Sequence, residues 1–463
     1  MKTSMLETLT DFYADISLAD LPEAVVAKTR RSLFDFLGVL LAGHRQGVLS
    51  PIALAYVRAQ QAKEEASLLP LPEKSSAALA AFYTGVAAHA VELDDGHRFG
   101  TSHPAVAVIP AVLAVAERQD RSFAEVILGV AVGYDMMLRV ARAVNPSHLK
   151  RGFHTTGTAG SIGAAAGAGK VLALNQTQLT HCVAMGGLQS AGLQEMLHSN
   201  PSIKPLQAGK AAQAGVLSAD LAALGAAGPV SLFEGPHGWF KAMADTVNPD
   251  LLLGELGARW EICNTYTKLY PTCRHCHHAV DLAIDFHREG IDPDAIRRIQ
   301  VDTYNVAIGE VGGVAQPENL EEAMFSLPYA VALALIYGKV RLKELESQLT
   351  DARTKALAAR VDIREDAAMN AVYPDERGSR MTIECSGGAV FTRETKLPRG
   401  EFDTPINDDQ YIQKAYEISE DVVSKGCIKD LWKIIVEGPI EKTTVASLKD
   451  AVQYCERNQY AID

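Results

Sequence analysis

Three stretches of this 463-residue sequence gather side chains able to do chemistry. The densest is "KLYPTCRHCHHAVD" (268–281), with two cysteines and three histidines between Cys273 and His278. Cys273-x2-Cys276 is one half of a structural zinc site, whose other half is normally a second CxxC or HxxxH. The remaining cysteines, Cys182, Cys263, Cys385, Cys427 and Cys455, stand alone and form no such pair. The alternative reading places the histidines at a helix start, with Pro271 opening the helix. His277 and Asp281 then lie four apart on one face, where the carboxylate could orient the imidazole. The positive end of the helix dipole favours a neutral imidazole, which at pH 7 serves as a general base or a hydrogen-bond donor. Lys268 and Arg274 are suited to hold a carboxylate substrate. The plainer alternative is a surface helix start that carries a histidine run by accident.

The second stretch is "HAVELDDGHRFGTSHPAVAVIPAVLA" (89–114), with Glu92, Asp94, Asp95, His97, Arg98, Thr101 and His103. Pro104 and a long apolar helix follow at once. Ionisable groups abutting a buried helix are costly unless paired, and such clusters are candidate active sites. The plainer reading is a solvated loop in which Pro104 opens the next helix and His103 lies near its cap. The third stretch is "NPSIKPLQAGKAAQAGVLSADLAALG" (200–225), where Lys204 precedes a proline and a Gly/Ala-rich helix. Alone, a loop lysine is a solvated charge.

These groups must be positioned by a mainly helical chain. Residues 1 to about 265 are rich in Ala, Leu and Glu, with apolar residues at spacings of three and four; "LPEAVVAKTRRSLFDFLGVLLAG" is one example. The stretch "GTAGSIGAAAGAGK" (157–170) has a phosphate-loop look but fails its rule: five residues separate Gly163 and Gly169, and Val171 stands where Ser or Thr should bind magnesium. Close helix packing through Gly and Ala explains it better. Near 265 the pattern changes. Residues 297–309 alternate as a strand does, and 380–397 read as two strands around a Gly387–Gly388 turn. Helices are expected at about 277–290, 319–337 and 342–358. From about 407 the chain is helical again. This predicts an all-helical domain over 1–265 and 400–463 with an α+β domain, 266–399, inserted in it.

With 48% hydrophobic and 22% charged residues, the composition is that of a globular protein. A formal charge of −12 argues against nucleic-acid binding, which needs a basic face. The longest apolar runs, 33–43 and 105–116, fall short of the ~20 residues a membrane span requires. An odd number of scattered cysteines, without a signal-peptide pattern at the start, suggests reduced thiols in the cytoplasm.

Taken together, the stretches carry a resemblance. "VELDDGHRFGTSHPAVAVIPA", "RGFHTTGTAGSIGAAAGAGK", "IKPLQAGKAAQAGVLSADLAALGAAGP", "KLYPTCRHCHHAVDLAID" and "AMFSLPYAVALAL" occur in the order found in the MmgE/PrpD family, which the chain resembles from about residue 5 to 400. That family includes 2-methylcitrate dehydratase, cis-aconitate decarboxylase and iminodisuccinate epimerase. The resemblance implies a large helical domain with a smaller α+β lid domain, a homodimer, and catalysis with no metal or cofactor. It implies catalytic roles for His103 in "SHP", Lys204 in "KPL", His277 six residues after the "YP" proline, Tyr329 in "FSLPY", and Asp94 and Asp95 of the acidic motif. Glu92, His97, Arg98, Thr101, His154, Lys268 and Arg274 are the substrate-binding candidates.

One motif departs from the family. Dehydratases and decarboxylases have Asp-apolar-(Asn/Asp)-Asp-Thr-Trp, whereas this chain reads Glu92-Leu93-Asp94-Asp95-Gly96-His97. The implied chemistry is removal or transfer of a proton next to a carboxylate of a small di- or tricarboxylate, which needs a base, a cation for the developing enolate-like charge, and an acid. His103 and His277 are expected as the acid/base pair, Lys204 as the cation, Tyr329 as a proton or hydrogen-bond donor, and Asp94 or Asp95 as holder of a histidine tautomer. Loss of a β-hydroxyl makes a dehydratase, the first expectation; reprotonation on the opposite face makes an epimerase; loss of carbon dioxide makes a decarboxylase. A non-catalytic carboxylate-binding protein is the reading from another class.

Overall fold

The computed structural model describes residues 3–199, 201–419 and 423–457. The chain is mainly helical and divides into two compact units. One gathers the described residues up to Ala90, Asp94–Thr265 and those from Asp408 onward; the other takes Val91–Leu93 and Tyr266–Asn407.

The first unit begins with α1 (Met5–Asp15), α2 (Glu23–Gln46) and α3 (Leu49–Ala59). A short antiparallel ladder, β1 (Ala66–Ser67) with β2 (Lys74–Ser75), precedes α4 (Ala77–His89). Then come α5 (Ala105–Arg118), α6 (Phe123–Val144), α7 (Thr155–Val171), α8 (Gln176–Leu188) and α9 (Pro205–Ala223). The apolar runs are buried helices: every residue of α5 from Ala105 to Ala116 is buried. The Gly/Ala stretch is helix throughout, as α7, and nearly all of it is buried. Its glycines meet those of α6 at close range. A Cβ on Gly163 would lie 2.6 Å from the Gly133 carbonyl oxygen, and one on Gly167 would lie 2.9 Å from that of Gly129. Only hydrogen fits at these positions, so backbone packs on backbone.

The second unit carries a four-stranded sheet. β3 (Ile296–Thr303) runs parallel to β4 (Val361–Glu365) and antiparallel to β5 (Ser379–Cys385), which pairs with β6 (Val390–Thr395), giving the order β4-β3-β5-β6. Register sets Ile299 beside Ile383 and Val301 beside Met381, all fully buried. α10 (Arg274–Arg288) and α11 (Leu327–Tyr337) pack against each other in this unit. The chain then returns to the first unit through α12 (Asp408–Ser419) and α13 (Val445–Arg457). There Lys414 Nζ reaches Asp35 Oδ1 at 2.6 Å, which gives the charge inside the apolar run of α2 a buried partner.

Several element boundaries differ from expectation. The strand expected over 297–309 ends at Thr303, and Asn305–Val311 is a helix whose first N–H is capped by Asn370. The 319–337 helix is two, split at Ser326, which caps the second through the Tyr329 N–H. The 342–358 helix splits likewise at Asp351, the cap of the second piece. β4 has no counterpart among the expected strands. Short polar residues that bond backbone N–H groups interrupt apolar periodicity without erasing it. Among the described residues, no helix is long and apolar enough to cross a membrane.

Candidate active site

The first unit brings Asp94, Asp95, His103, His154 and Lys204 into one buried electrostatic group, and adds His89, the last residue of α4. Asp95 builds the turn into α5. Its Oδ1 accepts from the Ala105 N–H at 3.1 Å, satisfying a helix-start donor, and its Oδ2 accepts from Tyr134 at 3.0 Å. Burial, opposed by Lys28 and these hydrogen bonds, pushes its carboxyl up to about 7.

His103 Nδ1 lies 2.8 Å from the Asp95 backbone oxygen and 3.1 Å from Asp94 Oδ2. A carbonyl oxygen only accepts, so Nδ1 holds the hydrogen and proton exchange falls to Nε2. The same Asp94 oxygen lies 3.0 Å from His89 Nδ1. Burial pushes the Asp94 carboxyl up, but the His89 and His103 imidazoles outweigh it and leave it well below the usual carboxylate range. The His89 ring lies 5.1 Å from that of His103 and stacks at 6.3 Å on that of His154.

His154 caps α7, and its Nδ1 lies 2.6 Å from Gln207 Oε1. The Gln207 amide nitrogen donates to the Leu193 carbonyl at 2.9 Å, which fixes its oxygen toward the ring. His154 therefore also holds its hydrogen on Nδ1 and presents Nε2 as a base. Burial first, then the charge of Lys204, holds it well below the usual imidazole value. Lys204 sits just before Pro205 at the start of α9 and is only 5% exposed.

The loop at 96–102 carries three of the expected substrate binders. His97, expected at the substrate, turns into the first unit: Nδ1 accepts from the Gly100 N–H at 2.9 Å and Nε2 donates to Glu261 at 3.2 Å. Glu261 also pairs with Arg142 and with Arg259 at 2.9 Å. Burial pushes its carboxyl up, but His97 and Arg142 hold it far below the usual range. Arg98 lies over the ring of its neighbour Phe99, 4.8 Å from the centroid. Thr101 adopts a left-handed φ of 44°, and its hydroxyl is buried with no hydrogen-bond partner among the described residues.

The second unit treats its candidates differently. Lys268 Nζ lies 3.0 Å from Glu92 Oε2, so two expected substrate binders are counter-ions of each other. Arg274, expected to hold a substrate carboxylate, spends its guanidinium on Glu401 at 3.1 Å, on the Arg399 carbonyl at 3.0 Å and on His277 Nδ1 at 2.9 Å, with Tyr266 stacked at 4.6 Å. α10 opens at Arg274 with Cys273 as its cap, later than Pro271. Asp281 does not orient His277: it accepts from Tyr270 at 2.6 Å and from the Arg399 N–H at 2.7 Å. An arginine only donates, so His277 Nδ1 accepts and its hydrogen lies on Nε2, 3.4 Å from the Thr272 carbonyl. His277 is fully buried. Burial and then Arg274 hold it neutral, well below the usual imidazole value. Tyr329 is fully buried, and its hydroxyl donates to the Leu345 carbonyl at 3.0 Å.

Among the described residues, two groups invite a metal. Burial keeps the Cys276 thiol protonated and pushes Cys273 up to about 12, so neither is a thiolate by itself. His89, Asp94 and His103 place ligand-type atoms within 4.8 Å of one another. There His103 Nδ1 carries a hydrogen directed at a carbonyl, which leaves only its Nε2 as a ligand atom.

Comparison with known proteins agrees with the motif order. The MmgE/PrpD N-terminal domain model matches residues 7–252 and the C-terminal domain model matches 270–433. A cis-aconitate decarboxylase-like protein of Aspergillus oryzae is 25% identical over 90% of this chain and 90% of its own length. Human cis-aconitate decarboxylase is 25% identical over 93% of this chain and 92% of its own, and the mouse enzyme 22% over 93% and 91%.

Proposed function

The chain belongs to the MmgE/PrpD family, and on that premise we propose that it is a lyase that moves a proton on the carbon next to a carboxylate of a small di- or tricarboxylate. The observation that carries this reading is the pair of imidazoles in the first unit whose Nδ1 hydrogens are both held by acceptors, His103 by the Asp95 carbonyl and His154 by Gln207. Both present Nε2, but in opposite electrical settings. His154 lies beside Lys204 and stays neutral, as a base should. His103 lies against ionised Asp94, which favours its imidazolium, as an acid needs.

The first reading is loss of water. His154 Nε2 takes a proton from the carbon next to a carboxylate, and the C–H electron pair becomes the new C=C bond. His103 Nε2–H protonates the departing hydroxyl, which leaves as water. Lys204 stabilises the enolate-like charge on the carboxylate as it develops. In this reading His277 and Tyr329 hold the second unit together, because each is enclosed and engaged within it.

The second reading is loss of carbon dioxide from an aconitate-class acid, which the names of the relatives favour. It needs one proton donor, and His103 supplies it. Proton NMR in deuterated buffer, with citrate-, aconitate-, malate- and aspartate-derived acids, tests both. Deuterium entering next to a carboxylate, with an alkene as product, supports the dehydratase; release of carbon dioxide replaces it with the decarboxylase. Exchange with inversion and no product alkene means an epimerase. No exchange with any acid, alongside ligand-induced thermal stabilisation, overturns the lyase reading in favour of a binding protein.

A further inference from the structure

Asp94 turns one oxygen to two imidazoles, and only one of them has a role in the proposed reaction. His89 is fully buried at the end of α4, with Nδ1 3.0 Å from the oxygen that also faces His103 at 3.1 Å. Its Nε2 is buried and has no hydrogen-bond partner among the described residues; the same holds for Asp94 Oδ1. A second proton on His89 would leave a charged N–H buried with no acceptor, a heavy penalty. The side chain of His103 is 15% exposed, so water can share its charge. His89 therefore holds a hydrogen on Nδ1 toward Asp94, and His103 is the imidazole of the pair that water can reach.

We propose that His89 is a positioning residue: a fixed hydrogen-bond donor that, by sharing Asp94, keeps that carboxylate ionised and aimed at His103, and so sets the strength of His103 as an acid. It never touches the substrate. The role in turnover rests on the lyase reading above, but the hydrogen-bond role does not.

The other titratable and charged groups facing the cluster are Asp95, whose carboxyl is itself raised to about 7, Lys28 and Asp35 of α2, Lys414 of α12, Tyr134 of α6, His154 and Lys204. All stay in place when His89 is exchanged. Removing the donor leaves His103 as the one imidazole against Asp94 Oδ2, which favours imidazolium at His103.

The test is a pH titration of the full-length protein labelled with 13Cε1-histidine, with the His103 signal identified by its loss in His103→Gln. His89→Asn keeps a donor where Nδ1 stood and should leave the His103 midpoint within about 0.3 pH unit. His89→Leu fills the space without a donor and should raise it by roughly half a unit or more. His89→Gln places its amide where Nε2 stood and should follow Leu; it serves if the leucine variant does not fold. A purely space-filling His89 predicts the reverse, with leucine harmless and asparagine damaging. Equal titrations in all variants, or an asparagine shift as large as that of leucine, overturn the proposal. With a turned-over substrate, leucine should lower kcat about tenfold or more at little change in KM, and asparagine should restore it. The titration uses no substrate, so failure of every acid to react would sink the lyase reading and leave this inference standing.

Discussion

The two units each bury a group of histidines, and the groups differ in what lies against Nδ1. In the first unit the neighbours are a carboxylate, a backbone carbonyl and an amide oxygen, all acceptors. They hold the hydrogen on Nδ1 and turn a basic nitrogen outward. In the second unit the neighbour of His277 is a guanidinium, which donates, so the basic nitrogen is consumed where it stands. On the reading proposed above, the group richest in histidine is the one whose side chains hold one another in place. Density of reactive side chains is a poor guide to reactivity; the identity of the partner is a better one.

The strongest way to break this contrast is to exchange equivalent residues. His154→Gln should lower kcat/KM about a thousandfold on the substrate found by isotope exchange. His277→Gln should stay within about tenfold of the parent while lowering the melting temperature. A collapse of turnover in His277→Gln without loss of stability would reverse the assignment. Next in size is Arg274→Met. It removes the donor that binds Glu401, the 398–399 backbone and His277, and should cost about 3 kcal/mol in denaturant unfolding. Turnover per folded molecule should be nearly unchanged, and a variant as stable as the parent would refute the structural role.

Asp95 sharpens the contrast through pH. Its carboxyl is raised to about 7, above its unfolded value, so the proton it binds stabilises the fold fully at low pH, and that contribution is lost as pH rises through 7. Between pH 5 and 8 the parent should lose roughly 2 kcal/mol that Asp95→Asn does not. Parallel stability profiles for the two would show that Asp95 is ionised throughout. The smallest effect is expected at Thr101, where a β-branched residue holds a left-handed φ of 44°. Thr101→Gly should stabilise by about 1 kcal/mol, and a lower melting temperature would show that the threonine side chain supports the loop.

Much of this was legible in the sequence, for reasons that differ by element. The helical class follows from apolar spacing, and α7 from a run of small residues that fails the phosphate-loop rule at Val171. Asp94 and His103 stand out because ionisable groups beside a buried helix need partners, whereas His154 and Lys204 stand out only through the family resemblance. His89 was missed because it ends a run that reads as apolar, although the spacing from His89 to Asp94 around a helix end was a usable signal. Arg274 and Lys268 were read without their counter-charges, Glu401 and Glu92, which are 127 and 176 positions away in the chain. Local pattern cannot show a partner of that kind. The splits at Ser326 and Asp351 were hidden for the opposite reason: the cap is local, but the apolar rhythm continues across it.

The glycine seam between α6 and α7 bears on how this protein could change. With no room for even a methyl group at Gly163 or Gly167, the two helices form a stiff beam, and His154 is fixed at its end. Laboratory selection for a new substrate cannot readily slide that histidine by shifting its backbone. A tolerance map of α7 should show a forbidden stripe along the seam, and improved variants should gather in the loops and in side chains around Lys204.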